Sequence, residues 1–202
     1  MSVPATLYHA GARRLQDRFD TRRLADRIAE RLGREALSDD DRSFIAAQAL
    51  FMLATADAEG RPECSYKGGE PGFVRALDPT RLAFPSYDGN GMFRSLGNLL
   101  VNPHVGLLFI DFGTGRRLRV QGRAAIDLDD PLVAQFEGAQ CVVRVAVSQV
   151  FPNCPRYVHP MQRAGLSDFA PRPGHVPPVP AWKRFEMFRD VLPAGDPAGG
   201  GD

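Results

Sequence analysis

Between residues 50 and 151 the chain is a run of short apolar stretches, each bounded by Gly, Pro, Asp or Asn, and that rhythm limits the folds open to it. LFMLATA (50–56) and ECSYKG (63–68) flank Asp57-Ala58-Glu59-Gly60-Arg61-Pro62, whose Gly and polar residues suit a hairpin connection. FVRALD and RLAFPSY repeat the arrangement around Pro79-Thr80. VGLLFIDF (105–112) is almost continuously apolar, as a strand covered on both faces requires. RRLRVQGRAAID follows across Gly113-Thr114-Gly115, and CVVRVAVSQVF (141–151) supplies another long strand. Six or more strands joined mainly by short turns predict an antiparallel barrel, not an alternating parallel sheet. The expected fold class is mainly β (α+β), with peripheral helices.

Helical spacing surrounds this region. Residues 11–34 read as one helix, with Leu15, Phe19, Ile28 and Leu32 near helical spacing and Gly33 where it could stop. Ser38-Asp39-Asp40-Asp41 offers an N-cap and an acidic first turn for a second helix leading into Phe44-Ile45-Ala46. A third helix, roughly 90–101, interrupts the strands and ends at Asn102-Pro103, where proline blocks continuation. A short one is expected near 130–137. Residues 171–180 contain five prolines and read as an extended arm. Trp182, Phe185 and Phe188 then suggest a final amphipathic turn, and Gly195 to Asp202 a disordered tail. The expected organisation is a helical extension over 1–43, a barrel over 44–158, and a Pro-rich arm and tail over 159–202.

Charge balance excludes some classes of function. With 25 Lys+Arg against 24 Asp+Glu, no global field points to nucleic acid or an anionic membrane. The N-terminus has no apolar core of a secretory signal, and no apolar run approaches the roughly 18 residues a membrane helix needs. Cys64, Cys141 and Cys154 share no CxxC spacing, which suits reduced thiols and a cytoplasmic location. His9, His104, His159 and His175 are scattered without zinc-ligand spacing, so no metal is expected. GxSxG, Walker and GxGxxG motifs are absent.

Two polar patterns stand out. Asp88-Gly89-Asn90-Gly91 leads into the third helix, where Arg94 and Ser95 fall in the early turns and Asn90, Arg94 and Asn98 recur every fourth residue. A glycine-rich approach to a helix N-terminus can cradle a phosphate, although helices also begin this way with no ligand. On the strand after Gly115, Leu118, Val120, Gly122 and Ala124 face one way; Arg117, Arg119, Gln121 and Arg123 face the other. Three like charges on one face call for water or an anion to meet them. Lys67, beside Gly68-Gly69, is either a further cation of such a site or an ordinary strand-end lysine. Cys154 has no motif tying it to a His or Asp, and an inert thiol is the simpler reading.

The joint order of these segments resembles the pyridoxamine 5′-phosphate oxidase-related FMN-binding proteins. The carriers are Gly60-Arg61-Pro62, Ser65-Tyr66-Lys67-Gly68-Gly69, Pro71-Gly72-Phe73-Val74-Arg75, Leu82-Ala83-Phe84-Pro85, Gly89 to Asn98, Asn102-Pro103, Val105 to Phe109 and Leu118 to Ala124. The resemblance spans about residues 44–158 and implies a six-stranded split barrel that dimerises, with FMN between the two subunits. It places Ser65, Tyr66, Lys67 and Gly68 along the flavin, with Pro85, Ser86 and Asn90 passing it as well. It puts Arg94 and Ser95 at the phosphate, and a polar contact at Arg117. It implies an FMN-dependent oxidoreductase acting on a small molecule, with no catalytic residue assigned. Trp182-Lys183-Arg184-Phe185 and Arg189 to Pro193 do not match the C-terminal Arg-and-His substrate motif of vitamin B6 oxidases, and the N-terminal helix looks like that of a bacterial branch. Rival readings are a non-catalytic flavin or heme carrier or redox sensor, an F420-dependent reductase, and a barrel without cofactor.

Overall fold

Seven strands form from the apolar stretches between turn residues: β1 (Leu50–Ala56), β2 (Pro62–Gly68), β3 (Arg75–Asp78), β4 (Arg81–Tyr87), β5 (His104–Ile110), β6 (Arg117–Asp127) and β7 (Ala139–Asn153). The structure is a computed structural model that describes residues 7–199. All strand pairings are antiparallel, in one sheet of order β2-β1-β5-β6-β7-β4-β3. The six-stranded barrel expectation is corrected in two respects. The short β3 makes seven strands, and β2 and β3 end the sheet without pairing, so it does not close.

The open sheet is nonetheless tightly curled. Phe51 on β1 and Phe84 on β4 are separated by three intervening strands, yet their rings lie 5.0 Å apart, edge to face. Phe51 also meets Phe109 of β5 at 5.3 Å and Phe73 at 5.8 Å. A flat sheet would hold β1 and β4 roughly 19 Å apart at about 4.8 Å per strand. Burial of this aromatic cluster on the concave face is what bends the sheet on itself. Leu53, Leu82, Leu107, Leu118, Val120, Val143 and Val145 extend the same core.

Gly122 stands opposite a bulge in β7, where Ser148 is left unpaired as the register shifts between Gln121 and Gly122. A Cβ on Gly122 would stand 2.3 Å from the Ala146 carbonyl oxygen, so the approach of β7 at the bulge needs a residue without a side chain.

The helix expected over 11–34 is two helices, α1 (Ala10–Arg18) and α2 (Arg22–Leu32), because Asp20 adopts a left-handed conformation with φ 51°. Arg22 reaches back to Asp17 at 2.5 Å and Arg13 reaches across to Asp26 at 2.6 Å, pinning the turn. Leu15, Phe19 and Leu24 stay exposed. α3 (Asp39–Ala46) begins as expected: the Ser38 hydroxyl accepts from the Asp41 N–H, and the Asp41 carboxylate accepts from the Ser38 N–H, a reciprocal cap. The Asp41 side chain also binds Arg34, whose backbone pairs with Val150 of β7. The extension is thereby fastened to the sheet, and α3 inserts Phe44 and Ile45 into its core.

α4 spans only Arg94–Val101, not 90–101, and lies against β1, β2 and β6. Near 130–137 there is a single 3₁₀ turn, Val133–Gln135. A further 3₁₀ turn (Ala181–Arg184) and α5 (Glu186–Arg189) form the expected amphipathic end, with Trp182 and Phe188 in edge contact at 5.7 Å. Where a disordered tail was expected from Gly195, residues 195–199 are folded back: Asp196 binds the buried Lys183 at 2.7 Å. Residues 200–202 lie outside the described residues. No helix among those described is long and apolar enough to cross a membrane.

Candidate functional site

β2 is an edge strand, and its concave-facing residues are polar. Pairing with β1 sets Glu63 opposite Thr55, Ser65 opposite Leu53 and Lys67 opposite Phe51, so all three share the face of the buried Phe51 and Leu53. On any other strand they would enter the core. Here they line a groove, because the curl brings the end of β4 and the loop after it opposite the edge of β2.

The groove has two adjoining chambers. One, of about 370 Å³, lies between Tyr66 to Gly69, Phe84 to Gly89, and the segment Arg163 to Ala170 of the C-terminal arm. The other, of about 280 Å³, lies between Glu63, Ser65 and Lys67, Ser86 and Tyr87, and Gly89 to Leu96. Lys67, Ser86, Tyr87, Gly89 and Leu96 line both. Chambers of this size suit a small ligand.

The second chamber holds the N-terminus of α4. Gly91 and Phe93 both adopt left-handed conformations, at φ 74° and 48°, and turn the backbone sharply into the helix. For Phe93 this conformation costs of order 1 kcal/mol. The first helical bond runs from Gly97 N–H to Phe93 C=O, leaving the N–H groups of Arg94, Ser95 and Leu96 without helical acceptors. No side chain among the described residues caps the helix. Neither Lys67 nor Arg94 makes an ion pair among the described residues. Burial pushes the Lys67 ammonium below its ordinary pKa, opposed by the charge of Glu63. Free donors, a helix dipole and two cations at one end fit an anionic group. The other end, with the buried Phe84 and Pro85 under Leu166 and Phe169, fits a flat apolar one.

A hydrogen-bond chain underlies this end. Asn98 donates to the Thr55 hydroxyl at 3.0 Å, and Thr55 donates to Glu63 at 3.1 Å. Ser95 donates to the same Glu63 oxygen at 2.8 Å, and Ser65 and Ser95 are 2.9 Å apart. Ser95 and Thr55 are buried.

Nine of the ten expected site residues therefore meet in one groove: Ser65, Tyr66, Lys67, Gly68, Pro85, Ser86, Asn90, Arg94 and Ser95. Asn90 stands in the approach loop, its side chain accepting from the Met92 N–H, and not on the helix. Arg117 does not join them. It lies at the far start of β6 and donates to the Cys154 carbonyl. Cys154 is exposed there, its thiol drawn below the usual range by the Arg156 N–H and by the charges of Arg156 and Arg117. None of the three cysteines lines the groove chambers. The Arg119, Gln121, Arg123 face is exposed, and Arg123 approaches His104 at 3.3 Å.

Sequence reasoning missed Glu63, although its i, i+2, i+4 spacing with Ser65 and Lys67 was a legible signal. It also missed the arm segment 163–170 as a wall and Lys183 as a clasp; nothing periodic announces either. Lys183 is 5% exposed and holds both Asp88, at the mouth of the glycine loop, and Asp196. These two carboxylates raise its pKa, Asp196 foremost.

A family model described as pyridoxamine 5′-phosphate oxidase matches residues 37–154, more than half of the chain. The chain belongs to the pyridoxamine 5′-phosphate oxidase family. The match takes in α3 and all seven strands. No curated protein matches the chain. Among solved structures, HupZ from Group A Streptococcus aligns at 21% identity and TM-score 0.47, covering 57% of this chain and 93% of its own. HutZ, the heme storage protein from Vibrio cholerae, aligns at 23% identity and TM-score 0.42, covering 57% and 93%. An FAD-binding protein from Mesorhizobium loti aligns at 19% identity and TM-score 0.40, covering 60% and 96%.

Proposed function

We propose that the groove between β2 and β4 binds FMN, and that the protein is an FMN-dependent oxidoreductase acting on a small molecule. The observation that carries this reading is the α4 N-terminus facing the same chamber as Lys67 and Arg94, none of the three capped or paired by a side chain among the described residues. In a family of flavin chemistry, that end suits the phosphate. Arg94 and Lys67 would neutralise it, and the free N–H groups of α4 would complete its contacts. Bound flavin supplies hydride acceptance and donation. The chain's own part is to hold the ring against Phe84 and Pro85, to exclude water with the arm segment 163–170, and to fix the glycine loop through the Lys183–Asp88 pair.

A homodimer is part of the proposal. β5 is apolar on both faces, yet Leu108 and Ile110 are only half-buried on the convex side, and Tyr66 is 60% exposed beside them. A continuously apolar strand asks for cover on both faces. A second copy packed there would supply it, and would offer a source for the Arg117 contact that this groove lacks.

The test is an absorbance spectrum of the purified protein before and after addition of FMN, with unbound cofactor removed. Flavin bands retained at about one per subunit support the reading and justify a screen of electron donors. A colourless protein that retains no FMN refutes it, and heme and F420 are then tried on the same preparation.

A further inference from the structure

Glu63 is a carboxylate in the floor of a chamber otherwise suited to an anion. A single oxygen of it accepts hydrogen bonds from the Ser95 and Thr55 hydroxyls. A hydroxyl has one proton to give. With its own proton on Glu63, Ser95 can only accept from Ser65, which uses the Ser65 proton as well. Thr55 in turn accepts from Asn98. The chain of bonds therefore has one direction, and Glu63 is its sink. Neither the Ser65 nor the Ser95 hydroxyl retains a proton for a ligand, although both residues line the chamber.

The charge has a second effect. Ser95 lies at the second position of α4, so the carboxylate already sits at the positive end of the helix dipole. It also faces Lys67 from the same strand face. The remaining polar side chains of the chamber are Ser86, Tyr87, Asn90 and Arg94, and none of them is a second carboxylate. Like charges near one another raise the cost of the second.

We infer that Glu63 sets the affinity and selectivity of this groove by opposing a phosphate dianion: it withholds the hydroxyl donors of Ser65 and Ser95 and leaves Arg94, Lys67 and the α4 backbone to hold the ligand. The inference rests on the flavin-phosphate reading above. It makes the bound cofactor more readily exchanged than the cations alone would allow, and it narrows the preference for FMN over riboflavin, which has no phosphate.

The experiment uses the full chain freed of flavin, titrated with FMN and with riboflavin by fluorescence. Wild type, Glu63→Gln and Glu63→Ala are compared. Glutamine keeps the shape and an acceptor for the two hydroxyls but removes the charge; melting temperatures check that both variants fold. In both variants the FMN Kd is expected to fall at least tenfold relative to the riboflavin Kd, about 1.4 kcal/mol of preference. If Glu63 served only to tie α4 to β1 and β2, its substitution would lower the melting temperature and leave the FMN-to-riboflavin preference where it was. An unchanged or weakened preference in both variants, with wild type binding FMN, overturns this inference alone. If wild type and both variants bind neither flavin, the flavin reading and this inference fall together.

Discussion

The contact between Phe51 and Phe84 makes the curl of the sheet measurable in solution. We consider Phe51→Leu, Phe84→Leu and the double substitution. Phe51 is fully buried and touches three aromatic rings, at 5.0, 5.3 and 5.8 Å. Replacing a ring by the smaller leucine removes those edge contacts and leaves a partial cavity, worth about 1–2 kcal/mol at each site. If the rings meet as they do here, the two losses overlap, and the cycle should show a coupling of about 0.5–1.5 kcal/mol. If the sheet were flat, the side chains would be roughly 19 Å apart and the losses would add. Urea unfolding of the four proteins gives the values; with a slope of about 2 kcal/mol per molar, 1 kcal/mol moves the midpoint by about 0.5 M. Coupling below about 0.3 kcal/mol would refute the curled arrangement. It would also remove the groove, which exists only because β4 comes round to face β2.

Other expectations follow from single side chains. Asp41→Ala should destabilise the fold by about 2–4 kcal/mol, since it removes the reciprocal cap of α3 and the partner of Arg34. Burial raises the Asp41 pKa, but Arg34 and Ser38 more than reverse this and leave it lowered, so its contribution is full at neutral pH and is lost as the pH falls below about 4. The stability of wild type against chemical denaturant should therefore fall on acidification through that range, and that of the variant less so; parallel acid limbs would count against the assignment. Arg94→Ala should leave the fold intact and weaken FMN by roughly 10–150-fold, the value of a charge-assisted bond of about 1.5–3 kcal/mol. Ser95→Ala should cost clearly less, because its proton is already given to Glu63; equilibrium titration separates the two, and equal losses would contradict the proton count. Gly122→Ala should lower stability by about 1–3 kcal/mol through the clash with the Ala146 carbonyl, read from the thermal midpoint. No change would mean that the bulge relaxes freely.

Much of the fold was legible from residue patterns because strands and caps are local. All seven strand segments fall where alternation and turn residues placed them, and the Ser38 cap needs only four consecutive residues. The helix break at Asp20 was not legible, since the apolar spacing continues across it and a left-handed aspartate has no composition signal. The start of α4 was misplaced for a similar reason: Asn90 keeps the four-residue spacing, but Gly91 and Phe93 turn the chain before the helix begins. Within the site, Lys67, Arg94 and Ser95 were found as cations and donors in suggestive places. Glu63 was passed over because an acid in an anion site contradicts the pattern being sought.

The sequence alone determined the strands, the alternation of faces along them, and the family. Each depends on neighbours in the chain or on motif order. Only the tertiary structure decided that β2 and β4 face one another across an open seam, that the arm at 163–170 walls the groove, and that Arg117 lies outside it. Those facts come from how far the aromatic cluster around Phe51 bends the sheet, and bending is a property of packed volume summed over the five strands from β1 to β4, which no single segment carries.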